Sequence, residues 1–101
     1  MSTQLTNAQI RFLRGQAHGL KAILQVGGKG VTDALIAELD QALEHHELVK
    51  VKVSAEDREQ RAALTAALVE RSGAALVQQI GHVAVFYRQF RDKRHIVLPR
   101  A

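Results

Sequence analysis

Apolar side chains recur along this chain with two periods, and the switches between them mark the elements. Ile10, Leu13, Ala17 and Leu20 stand three or four residues apart, and Thr6 followed by Gln9 has the form of a capping box, so a first helix is predicted over residues 7–18. Residues 22–26 are a short apolar stretch running into Gly27-Gly28-Lys29-Gly30, which reads as a strand ending in a glycine loop. Thr32 can cap a second helix over 33–46. Its apolar stripe is Leu35, Leu39, Ala42 and Leu43, while Asp33, Glu38, Asp40, Gln41 and Glu44 take other faces. An acid in the first turn and histidines in the last suit the helix dipole.

Residues 48–53 alternate, with Val49, Val51 and Val53 on one face and Leu48, Lys50 and Lys52 on the other, as in a strand with one buried face. Ser54 and Asp57 form a second capping-box pattern ahead of a third helix that buries Leu64, Ala67 and Leu68 and stops near Gly73. Residues 75–80 and 83–87 flank Gly81-His82, a hairpin turn in which glycine supplies the first positive φ. The element order is α-β-α-β-α-β-β. Strands separated by helices are expected to pair in parallel through right-handed crossovers, and the final hairpin adds an antiparallel pair. The expected fold is a single compact α/β domain over residues 1–101, with three helices and a mixed four-stranded sheet. Residues 89–101 form a basic tail, expected to dock loosely or fray, in which Pro99 closes the apolar Ile96-Val97-Leu98.

Composition narrows the function. At 101 residues and 47% hydrophobic, the chain suits one domain with its own core. Absence of cysteine excludes disulfides, Cys-ligated zinc, iron–sulfur clusters and thiol catalysis. The longest apolar run, residues 83–87, is far too short to span a membrane, and the N-terminus lacks a leader's apolar core, so a soluble cytoplasmic monomer is expected. Net charge is +4, but it is unevenly placed: residues 1–31 carry +4 without an acid, 32–72 carry −4, and 73–101 carry +4. Two basic ends around an acidic middle bear on partners rather than on fold.

Catalytic arrangements find little support, and no enzyme activity, metal or small-molecule cofactor is expected. Ser2, Ser54 and Ser72 lie in a terminus or at helix ends, and none sits in a Gly-x-Ser-x-Gly elbow. His45 and His46 are adjacent and splay by about 100° on a helix, so they suit a helix C-terminus better than one metal ion. A Walker loop needs Ser or Thr directly after Gly-Lys and an earlier glycine, where Gly30 and Ile23 stand instead.

The glycine loop is more informative as Gly27-x-x-Gly30 between a strand and a helix. Such a loop leaves no Cβ to block a sugar-phosphate backbone, and the helix amides and Lys29 favour an anion, although a tight turn alone would also use these glycines. Ahead of it Arg11, Arg14, His18 and Lys21 follow helical spacing and form a cationic ridge about 100° from the buried one, provided the last turn reaches Lys21. The predicted nucleic-acid-binding set is therefore Arg11, Arg14, His18, Lys21, Gly27, Gly28, Lys29, Gly30 and Thr32. Lys50 and Lys52 extend it if their sheet face is open, and Arg88, Arg91 and Arg94 form a second, non-specific patch. Among the aromatics, Phe12 and Phe86 are expected in the core, leaving Tyr87 or Phe90 as base-stacking platforms.

Leu13-Arg14-Gly15-Gln16-Ala17-His18, Leu20-Lys21, the loop 27–32 and above all residues 42–52, Ala-Leu-Glu-His-His-Glu-Leu-Val-Lys-Val-Lys, resemble the bacterial YhbY proteins. These are the stand-alone form of the CRM domain, named for chloroplast RNA splicing and ribosome maturation, and the resemblance extends to Leu98-Pro99-Arg100. It implies a non-catalytic RNA-binding protein associated with precursors of the large ribosomal subunit. It also implies a fold similar to the C-terminal domain of translation initiation factor three. The family's Gly-x-x-Gly loop maps onto Gly27 and Gly30, and its basic surface onto Arg11, Arg14, Lys21 and Lys29. Ala22 departs from the proline that members often carry there. The alternative is a protein-interaction module whose acidic second helix docks a basic ribosomal protein.

Overall fold

A computed structural model describes residues 5–27 and 29–89. Gly28, Phe90, Arg91, Arg94 and the rest of residues 90–101 lie outside the described residues. The element order is as expected: α1 (Asn7–Ala17), β1 (Leu24–Val26), α2 (Asp33–His46), β2 (Leu48–Val53), α3 (Arg58–Ser72), β3 (Ala75–Ile80) and β4 (Val83–Tyr87).

Local chemistry sets most boundaries. The Thr6 hydroxyl accepts from the Gln9 N–H at 3.2 Å while the Gln9 side-chain oxygen accepts from the Thr6 N–H at 3.0 Å, a complete capping box. The chain leaves α1 through a turn at His18 and Gly19, where the Leu20 N–H donates to the Ala17 carbonyl at 2.9 Å. Leu20 thus departs from the buried stripe, and Lys21 follows the helix rather than continuing its ridge. Thr32 caps α2, accepting from the Leu35 N–H at 3.1 Å. The second capping pattern resolves differently from expectation: Asp57 alone is the N-cap of α3, accepting from the Gln60 N–H at 2.7 Å, and Gln60 reaches back to the Glu56 N–H. Ser54 instead accepts from the Gln25 side chain. Gly73, at φ +72°, ends α3, and Gly81, at φ +55°, turns the hairpin.

The sheet has the order β1-β2-β4-β3. β1 runs parallel to β2, with Leu24 opposite Val51 and Val26 opposite Val53, while β4 is antiparallel to both β2 and β3. The α3 crossover therefore skips a position: β3 does not sit beside β2, because β4 returns from the hairpin and inserts between them. β1 begins two residues later than the apolar pattern suggests. Ile23 still donates its N–H to the Lys50 carbonyl at 3.0 Å, but the strand proper starts at Leu24.

The two sheet faces bury separate cores. On one face α2 and α3 enclose Val26, Leu39, Leu43, Val49, Val51, Val53, Leu68 and Phe86. On the other, Leu13 and Ala17 of α1 pack on Leu48, Val77, Val85 and Tyr87. Adjacent Phe86 and Tyr87 thus serve opposite interiors, as strand alternation requires. Tyr87 is fully buried, with its hydroxyl 3.3 Å from the Glu47 carboxylate, so it is not a stacking platform. Phe12 reverses the opposite expectation: it lies outside the core and is 36% exposed, because the side of α1 that meets the sheet is the one carrying Leu13 and Ala17. No helix among the described residues is long and apolar enough to cross a membrane.

Candidate nucleic-acid interface

α1 presents its cations because its packing face is narrow. Leu13 and Ala17 are buried, and Arg11, Arg14 and His18, which share the outer side of the helix, are exposed. Among the described residues the ion pairs are Arg71 with Asp33 and Arg88 with Asp40, so neither arginine of α1 is neutralised by a carboxylate.

At the C-terminal end of α1 the sheet lies open. Lys50 is half-buried, and its ammonium donates to the Leu20 carbonyl at 3.1 Å, tying the segment after α1 to β2. Exposed Lys21 and His18 line a groove with it. Lys52 stands two residues further along β2 on the same sheet face, exposed and opposite Gln25 of β1. The sheet face that carries Lys50 and Lys52, on whose openness their role depends, is therefore covered by α1 near Leu48 and exposed at Lys52.

Gln25 links this strip to the loop. It lines a concavity of about 320 Å³ together with Gly27, Lys29, Gly30, Thr32 and Glu38. The loop is a tight turn, in which the Gly30 N–H donates to the Gly27 carbonyl at 2.9 Å and Gly30 takes φ +72°. That bond occupies the Gly30 amide internally. The exposed Lys29 ammonium and the first amides of α2 beyond the Thr32 cap are left to face an anion. Arg71 of α3 steadies the far limb of the loop, donating to the Val31 carbonyl at 3.1 Å and pairing with Asp33. Glu38 at the rim was not expected there. A helix that starts at Asp33 returns to the loop side every three to four residues, which brings a carboxylate beside Lys29.

The structure thus gathers the sequence-derived residues into two groups. His18, Lys21 and Lys50 meet at one end of β1, and Gly27, Lys29, Gly30 and Thr32 meet at the other, with Lys52 and Gln25 between. Arg88 belongs to neither. Its guanidinium reaches the opposite face, where it pairs with Asp40 and donates to the Ser72 carbonyl at 2.7 Å, stapling the end of α3 to α2. Residues that pattern reading missed at the site are Gln25 and Arg71. Gln25 carries only the alternation of a very short strand, and the contact of Arg71 with the loop spans 40 residues of sequence.

Known proteins are similar to this chain. An RNA-binding protein of Haemophilus influenzae is 45% identical over 97% of this chain and 98% of its own length. A protein of Bacillus subtilis named as a probable RNA-binding protein is 43% identical over 94% of this chain and 99% of its own. The solution structure of a hypothetical protein from Staphylococcus aureus, 36% identical, superposes with a TM-score of 0.82 and covers 95% of this chain and 100% of its own. The CRS1/YhbY (CRM) domain matches residues 5–88, and the chain belongs to that family.

Proposed function

We propose that this chain is an RNA-binding protein that associates with precursors of the large ribosomal subunit and assists ribosome assembly in the cytoplasm, acting as a monomer without catalysis. The observation that carries the reading is the uncompensated cationic face of α1. Arg11, Arg14 and His18, with Lys21 just beyond the helix, are all exposed, and no acid occurs in the first 31 residues. Membership of the CRM family makes RNA the fitting polyanion. Arg11, Arg14 and Lys21 contact phosphates, Lys29 adds a charge at the turn, and Lys52 continues the track between them. Few groups along the track read base edges, so shape and charge dominate over sequence. The acidic second helix offers a weaker case as a docking site for a basic ribosomal protein, since Asp33 and Asp40 already pair with Arg71 and Arg88.

The test is filter binding of the whole chain to large-subunit ribosomal RNA fragments across a salt series. Affinity falls steeply with salt, and each phosphate contact removed lowers the slope of log K against log salt by about 0.7–0.9. Lys29→Glu, and Arg11→Ala with Arg14→Ala, weaken binding to unrelated RNAs alike. If both variants bind as tightly as the parent, the proposed face is wrong. Co-sedimentation with precursor large subunits rather than mature ones tests the assembly role.

A further inference from the structure

Among the described residues, no element covers the sheet face beyond the C-terminus of α1, and that face is not simply polar. Ile80 is 66% exposed and Ile23 53%, both on the side of the sheet that α1 covers elsewhere. Between the α1 terminus and the hairpin lies a groove of about 500 Å³, with Val83, Val85 and Ile80 as its floor and Leu20 on its wall. Volumes of this order hold small ligands with a few placed polar groups. Here those groups are the ammonium groups of Lys21 and Lys50, the His18 imidazole and the Gln78 side chain, and none of the lining residues is acidic. Helix termini such as that of α1 carry partial negative charge at this end. The His18 N–H donates to the Gly15 carbonyl and the Leu20 N–H to the Ala17 carbonyl, which satisfies two of those carbonyls within the turn.

We infer that this groove takes a single unpaired nucleotide of the bound RNA. The base lies on the isoleucine and valine floor, the Gln78 amide meets its edge, and the phosphate rests against Lys21 and His18. An apolar floor beneath a cationic rim matches a nucleotide, whose base is flat and apolar on its faces and whose phosphate is anionic. Continuity adds to the match, because Arg11, Arg14 and His18 lead a phosphate backbone along α1 to the rim. The groove lies apart from the glycine loop, so an RNA that engages both wraps from one end of β1 to the other.

This inference rests on the RNA-binding reading, and the experiment separates the two. Two hairpins are compared, identical except that one carries a single bulged nucleotide, with 4-thiouridine as the bulged base for crosslinking. The parent chain binds the bulged hairpin more tightly, and the crosslink maps to residues 17–23 or 78–85. Ile80→Glu, at an exposed position, and Gln78→Ala each lower affinity for the bulged hairpin by about tenfold and leave the fully paired hairpin unaffected. Equal loss on both hairpins, no loss on either, or a crosslink confined to the loop 27–32 or to residues 90–101 overturns the nucleotide site. Failure of the parent to bind either hairpin overturns the RNA-binding reading instead.

Discussion

Gly27 and Gly30 look equivalent in the sequence and carry different constraints in the fold. Gly30 holds φ +72°, where an L side chain costs about 1–2 kcal/mol. A Cβ there would also lie 3.8 Å from Leu64, ordinary contact, so the cost is conformational rather than steric. Gly27 has no positive φ, and a Cβ on it meets nothing within 4 Å. Gly30→Ala should therefore destabilise the chain by about 1–2 kcal/mol in chemical denaturation, whereas Gly27→Ala should change stability by less than about 0.5 kcal/mol. If Gly27→Ala nonetheless weakens RNA binding, close approach of a backbone is the reason; unchanged binding would reduce that glycine to a turn residue. Glu47 is the residue whose constraint pattern reading could not find. It is fully buried at φ +60° between α2 and β2, donating its N–H to the Leu43 carbonyl and accepting at its own carbonyl from the Arg88 N–H. Non-glycine residues persist in that region only where surrounding contacts over-determine them.

At the scale of elements, periodicity was a sufficient guide wherever one face of an element meets one layer. The bounds of α2, β2, β3 and β4 follow from apolar stripes and runs together with the Thr32 cap and the Gly81-His82 turn, since Leu39 and Leu43 or Val49, Val51 and Val53 have a single interior to enter. Two boundaries were illegible for a physical reason. β1 is only three residues long, so alternation had too few positions to show where it starts, and the two candidate caps of α3 differ only in which oxygen the chain brings to the Gln60 amide. Asp57→Ala should cost about 1 kcal/mol, as loss of an N-cap does, and Ser54→Ala much less; equal effects in a thermal melt would contradict the observed cap. The loop was legible as a motif but not as a supported one. Arg71→Ala should leave global stability nearly unchanged, as expected for exposed ion pairs, yet speed amide exchange at residues 29–33. No change in exchange there would mean that the Val31 contact does not hold the loop.

Across the whole molecule, the division of charge follows the division of cores. The helices bearing most of the acids, α2 and α3, pack on one face of the sheet, and the acid-free α1 packs on the other, so the net +4 is a poor guide to the field an approaching polyanion meets. Glu38 beside Lys29 is where that segregation breaks down. The same layering makes α1 the element most easily detached, because Leu13 and Ala17 are its only fully buried side chains and they enter the smaller core. Leu13→Ala should cost about 2–5 kcal/mol. In the parent chain, amides of α1 should exchange faster than those of β2 and β4, which lie at the centre of the sheet. RNA held by Arg11 and Arg14 binds the docked helix and not the detached one, so RNA at a hundredfold excess over its Kd should stabilise docking by about 2.7 kcal/mol. Exchange of the α1 amides should then slow by about a hundredfold while opening of the α2 and α3 layer changes less. If saturating RNA leaves α1 exchange untouched, the phosphates are held elsewhere, and the glycine loop with Lys29 and Lys52 would have to carry binding without the helix.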